Sequence, residues 1–154
     1  PTANTSQGGE VAATVASCGK GRIAAVYGPV ALNFFKAHHP YARQFIGGVV
    51  AKVFPDPTVQ VDGPPCLDVS LRKTIDGKLS VHLLNTANAP RSDAAGVIDY
   101  IPPVGPVTVK VSVPKKPSGV RWVPDGGKPD WSWTNGMLSA RIPSVHIHGV
   151  LVVE

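Results

Sequence analysis

Apolar and polar residues alternate with a period of two through most of the second part of the chain. Leu67, Val69 and Leu71 alternate with Asp68, Ser70 and Arg72, and Leu79, Val81 and Leu83 repeat the pattern after Asp76-Gly77. Val107, Val109, Val111 and Val113 alternate in the same way with Thr108, Lys110 and Ser112. This period puts one set of side chains on one side of a pleated ribbon, so each run predicts a half-buried strand. Asp76-Gly77 and Asn135-Gly136 fall between such runs and supply the positive-φ residues that tight hairpins need. Val120-Arg121-Trp122, Trp131-Ser132-Trp133, residues 138–142 and residues 145–153 bring the total to about seven strands. After His148 the last run is apolar on both faces, as in a strand covered on both sides. The expectation is a mainly β fold. An antiparallel β-sandwich, immunoglobulin-like or jelly-roll-like, would occupy residues 58–154, preceded by a strand pair and one helix.

The strand pair comes from two small-apolar runs, 11–17 and 22–27, split by Cys18-Gly19-Lys20-Gly21. The period then changes. Phe34, Phe35, Tyr41, Phe45, Ile46, Val49, Val50 and Val53 recur at helical spacing, which predicts one helix over residues 32–54. Pro40 suits its first turn and Pro55 stops it, while Gly47-Gly48 weakens it and leaves it dependent on packing. Pro55-Asp56-Pro57 marks a change of composition and hence a boundary. Residues 1–57 hold too little for a core of their own. They read as the remnant of an α/β domain or as an appendage lying on the sandwich. Residues 1–10 read as a flexible lead-in and residues 85–96 as a long polar loop.

Composition sharpens this picture in a few places. Sixteen Gly and sixteen Pro occur without a collagen period, which suits short strands joined by many turns. Only 16% of the residues are charged, against about 25% in typical domains. That composition goes with bacterial proteins outside the cytoplasm, so an extracellular or periplasmic location is expected. The net charge is +5, but the basic residues are scattered, with dense spots only at Arg72-Lys73 and Lys115-Lys116. Nucleic-acid binders gather charge on one stripe with interleaved aromatics, so no nucleic-acid partner is expected. No run approaches the ~20 apolar residues of a membrane helix, and no membrane partner is expected. Pro1-Thr2-Ala3-Asn4 is not a signal peptide, and a start at Pro1 reads as an expressed piece, a mature form or a fragment. Cys18 and Cys66 allow two readings, one long-range disulfide or two buried free thiols, of which the thiols are preferred.

No catalytic constellation emerges. Glycoside hydrolysis needs two carboxyl groups flanking one bond. The two Glu are Glu10 and Glu154, and Asp56, Asp62, Asp76, Asp125 and Asp130 all neighbour Pro or Gly, where turn chemistry explains them. There is no G-x-S-x-G elbow, and Gly19-Lys20-Gly21 lacks the Walker spacing. No cofactor is implied. His146 and His148 lie two apart on a predicted strand and so on one face, as metal ligands could. Zinc needs further protein ligands, and His38, His39, His82 and the cysteines show no ligand spacing. Structural histidines are the preferred reading, and no metal site is expected. His38-His39-Pro40 reads as a helix lead-in. His82 points away from Val81 and Leu83, placed to hydrogen-bond across to a neighbouring strand or another domain, and Asn85 is placed to cap the turn after it. Trp122, Trp131 and Trp133 carry two readings. They fill the end of a sandwich core, or they offer flat faces to pyranose rings, with Asp125, Lys128, Asp130 and Asn135 nearby. The carbohydrate-binding set under the second reading is Trp122, Trp131, Trp133, Asp130 and Asn135.

Several segments carry a family resemblance. They are Gly19-Lys20-Gly21-Arg22-Ile23-Ala24-Ala25-Val26-Tyr27-Gly28, the run from His39-Pro40-Tyr41 through Phe54-Pro55, and Leu67-Asp68-Val69-Ser70-Leu71-Arg72. Val81-His82-Leu83-Leu84-Asn85, the segment from Ile101-Pro102-Pro103 to Val107, and Val145-His146-Ile147-His148 with the final strand continue the match. Together they resemble the C-terminal region of large bacterial multidomain glycoside hydrolases of the α-fucosidase-like and β-galactosidase-like type. The resemblance implies a catalytic barrel, then a glutamine-amidotransferase-like or trimerisation-like α/β domain, then a β-sandwich. On that reading the acid and nucleophile lie in the barrel, so no catalytic residue carries over to this chain. The implied function is that of a non-catalytic accessory region whose partners are the other domains of the parent hydrolase. The alternative is a carbohydrate-binding module with polysaccharide as its partner.

Overall fold

A computed structural model describes residues 11–87, 99–124 and 127–154. The expected lead-in over residues 1–10, most of the polar loop 85–96 and Asp125 lie outside the described residues. The chain divides into two compact units, Pro1–Asp56 and Pro57–Glu154.

In the first unit, β1 (Ala13–Cys18) and β2 (Gly21–Val26) form an antiparallel hairpin with Cys18 opposite Gly21. Gly19 turns the chain at φ +56°, a conformation L side chains rarely adopt. Two helices follow where one continuous helix is predicted: α1 (Val30–Ala37) and α2 (Pro40–Val53). The break has a covalent cause. Pro40 has no N–H to continue the ladder, and its ring forces the preceding residue out of helical geometry, so His39 is extended at ψ 127°. His38 ends α1 in the left-handed conformation at φ 51°, donating its backbone N–H to the Phe34 carbonyl at 2.6 Å. Pro40 then sits in the first turn of α2, where a missing N–H costs nothing. Arg22 Nη1 donates to the Lys52 carbonyl at 2.9 Å, satisfying one of the open acceptors at the C-terminal end of α2.

The second unit is a sandwich of two four-stranded antiparallel sheets. Its strands are β3 (Val59–Asp62), β4 (Leu67–Lys73), β5 (Leu79–Asn85), β6 (Val107–Ser112), β7 (Val120–Val123), β8 (Asp130–Thr134), β9 (Met137–Ile142) and β10 (His148–Val153). One sheet runs β4-β5-β10-β7 and the other β3-β6-β9-β8. The mainly β, antiparallel sandwich expected from the alternation is the fold observed. Val81, Leu83 and Leu151 from one sheet meet Val107, Val109, Val111, Leu138, Ala140 and Ile142 from the other, all fully buried in one core. Asn135 at φ 51° and Gly136 at φ +82° form the two-residue turn between β8 and β9. The β4–β5 turn places Gly77 at φ +83°, with the Thr74 N–H donating to the Lys78 carbonyl at 2.8 Å.

Three further expectations change. The short strand β3 is additional, its Val59 and Val61 leaning on the core opposite Val111 and Val109. β10 begins only at His148, and Val145 makes an isolated bridge to Val104, so His146 and His148 do not share a strand face. The two thiols are free but not buried: Cys18 is exposed at the end of the first hairpin and Cys66 is half-buried before β4.

Candidate functional site

Trp122 enters the core from β7, an edge strand, where it pairs with Leu151 of β10. Its indole is 6% exposed and lies directly over Gly149, where any Cβ would overlap ring carbons. The glycine is therefore what lets the Trp122 indole pack against the β10 backbone. Beside it, between the β7 edge of one sheet and β8–β9 of the other, opens a groove of about 630 Å³. That volume lies within the range of about 300–1,000 Å³ common for ligand pockets. Trp122, Pro129, Ile142 and Pro143 give it apolar walls, and Asp130 and Arg141 line it as well. Asp130 and Arg141 are exposed and sit opposite each other across β8 and β9. Lys128, also exposed, adds a second cation. Among the described residues, none of these three charges belongs to a salt bridge.

The five proposed carbohydrate-binding residues thus separate. Trp122 and Asp130 share the groove. Trp131 and Trp133 are half-buried and pack against the core, and Trp133 Nε1 donates to the Val113 carbonyl at 3.0 Å. Asn135 is exposed in the β8–β9 turn. Arg141 carries no signal in the linear pattern. It reaches the groove only because β9 pairs with β8 in this register.

On the outer face of the other sheet, His82 of β5 meets His148 of β10. His82 Nδ1 lies 3.2 Å from His148 Nε2, and the rings stack at 5.3 Å with 18° between their planes. His82 Nε2 lies 3.4 Å from Ser80 Oγ. Partial burial pushes the His82 pKa down, and the His148 and Arg72 charges push it the same way. The cross-strand partner expected for His82 is therefore His148, 66 residues away in sequence. Asn85, 3% exposed, gathers three strands of chain: its Nδ2 donates to the carbonyls of Pro102 at 2.8 Å and His146 at 2.7 Å, and its Oδ1 accepts from the Ala87 N–H at 3.0 Å. The last bond is the turn cap expected of it. At the opposite end, Glu154 pairs with Arg121 at 2.9 Å and Lys78 at 3.5 Å, and Lys78 pairs with Asp76 at 3.0 Å.

The one hydroxyl–imidazole contact among these groups, Ser80 Oγ to His82 Nε2, holds its hydroxyl in a nearly buried position, and among the described residues no three His, Cys, Asp or Glu side chains gather as a metal cluster. The fold and its sites define a β-sandwich with a polar-rimmed groove, preceded by a small unit of one hairpin and two helices. No protein-family model matches the chain, and no curated protein matches it either. Among solved structures it is similar to the α-L-fucosidase isoenzyme 2 from Paenibacillus thiaminolyticus, with a TM-score of 0.72 and 16% identity. The match covers 91% of this chain and 21% of that chain, so this chain spans about a fifth of the fucosidase's length. At that identity the likeness is one of fold.

Proposed function

We propose that the chain is a non-catalytic accessory region of a bacterial carbohydrate-active hydrolase, working outside the cytoplasm in domain packing, assembly or substrate presentation. One contrast carries this reading. The second unit closes a core of fourteen buried apolar side chains, whereas no described residue of the first unit is buried. Phe35 and Tyr41 are 75% and 74% exposed, and Leu32, Val50 and Phe54 are about half exposed or more. A hairpin and two helices with their apolar residues outside gain little from folding alone and gain much from another surface. A neighbouring domain of the parent hydrolase is that surface, and the fold likeness to one stretch of a fucosidase supports it. The test is the open reading frame that encodes the chain. A catalytic barrel upstream is expected, and a frame that encodes only this chain would refute the reading. Purified chain should not turn over aryl glycosides.

The groove favours a second reading, in which the sandwich binds polysaccharide. Asp130 and Arg141 are free to bond hydroxyls or a carboxylate, and the Trp122 and proline walls offer apolar surface to a sugar ring. Retention of the chain in polysaccharide affinity gels should fall on Asp130→Ala or Arg141→Ala, with the unfolding midpoint unchanged. An intact chain retained by no polysaccharide would sink this reading.

A further inference from the structure

We propose that His82 and His148 form the protein half of a binding site for a divalent d-block cation, with His82 Nδ1 and His148 Nε2 as neighbouring ligands and water in the other positions. The strand register brings them together. His82 lies opposite Val150 and His148 opposite Leu84, so the two imidazoles are diagonal neighbours on one sheet face. Two nitrogens each about 2.0–2.1 Å from one metal, with roughly 90–110° between the bonds, stand about 2.9–3.4 Å apart. The observed separation of 3.2 Å falls inside that interval.

Ser80, two residues along the same strand face, gives one tautomer of His82 a partner: its hydroxyl is directed to the Arg72 carbonyl at 3.5 Å, which leaves its oxygen to accept from Nε2–H. Ser80, 4% exposed, holds its hydroxyl 3.4 Å from His82 Nε2. When Nε2–H donates to Ser80, the lone pair of His82 is on Nδ1, directed at His148. A metal-binding histidine is oriented in this way by a partner on its other ring nitrogen. Without metal, His148 Nε2–H donates to that lone pair. Binding replaces the shared proton with the cation, and the proton moves to His148 Nδ1, so each ring stays neutral. Among the described residues no third His, Cys, Asp or Glu completes the set, and Arg72 adds a repelling charge. A two-imidazole site of this kind follows the usual order of affinity, Cu²⁺ above Ni²⁺ and Zn²⁺.

The experiment is calorimetric titration of the intact chain with CuCl₂ and NiCl₂, with Cu²⁺ electron paramagnetic resonance as second readout. One equivalent should bind, and the spectrum should show coupling to two imidazole nitrogens. His148→Gln, a change at an exposed position, should weaken binding at least tenfold with tryptophan emission unchanged. Ser80→Ala should weaken it by about tenfold, and His38→Gln/His39→Gln should leave it intact. Binding that survives His148→Gln, that disappears with His38→Gln/His39→Gln, or that is absent from the intact chain overturns the proposal.

Discussion

Two single residues hold more of the sandwich than their size suggests. Asn85 satisfies two carbonyls and one N–H from three separate parts of the chain, all at the end of the sheet from which β5 leaves. Alanine there strands those groups in a nearly dry site, and a loss of about 2–3 kcal/mol is expected. Equilibrium denaturation followed by tryptophan emission measures it, since all three tryptophans lie in the second unit. Gly149 is the other. Its replacement by alanine forces the Trp122 indole off the sheet and should cost about 3 kcal/mol. Trp122→Leu in the same chain should recover part of that loss, because the clash is with the ring itself. If Gly149→Ala is neutral, the indole does not lie where described.

At the level of elements, alternation and turn chemistry made the strands legible, because a period of two and an Asp-Gly or Asn-Gly pair act locally. What pairs with what was not legible. His148 and Arg141 acquire their neighbours from strand order alone, and no spacing in the sequence encodes that. The helix break at Pro40 was written in the sequence, but the apolar spacing runs across it and masks it. β3 has only four residues, too few for its alternation to stand out. Where the starts of β5 and β7 meet the end of β10, the sheet carries a pH-sensitive link. The Arg121 hydrogen bond, with help from Lys78, holds the Glu154 carboxyl below its ordinary value of 4.5. Thr74 and then Lys78 lower Asp76 below 3.8. Both folded values lie under the unfolded ones, so the stabilisation is present above those values and disappears as pH falls through them. The unfolding midpoint of the second unit should therefore fall between about pH 5 and pH 3. In Glu154→Gln that fall should be shallower, and added salt should shrink the difference because the pairs are exposed.

For the whole molecule, the two units differ in what holds them. The sandwich has a closed core built from both sheets, and its inner strands β5, β6, β9 and β10 each have a neighbour on both sides. The first unit has a hairpin, two short helices and no buried side chain among its described residues. An accessory region that docks onto another domain of its parent needs such an unfinished surface, and a self-sufficient module does not. Native-state hydrogen exchange on the isolated chain compares the two directly. The account predicts strong protection of the amides in β5, β6, β9 and β10, and exchange at least a hundredfold faster in α1 and α2. Helices protected as well as those strands would contradict it, since the first unit would then be complete without a partner.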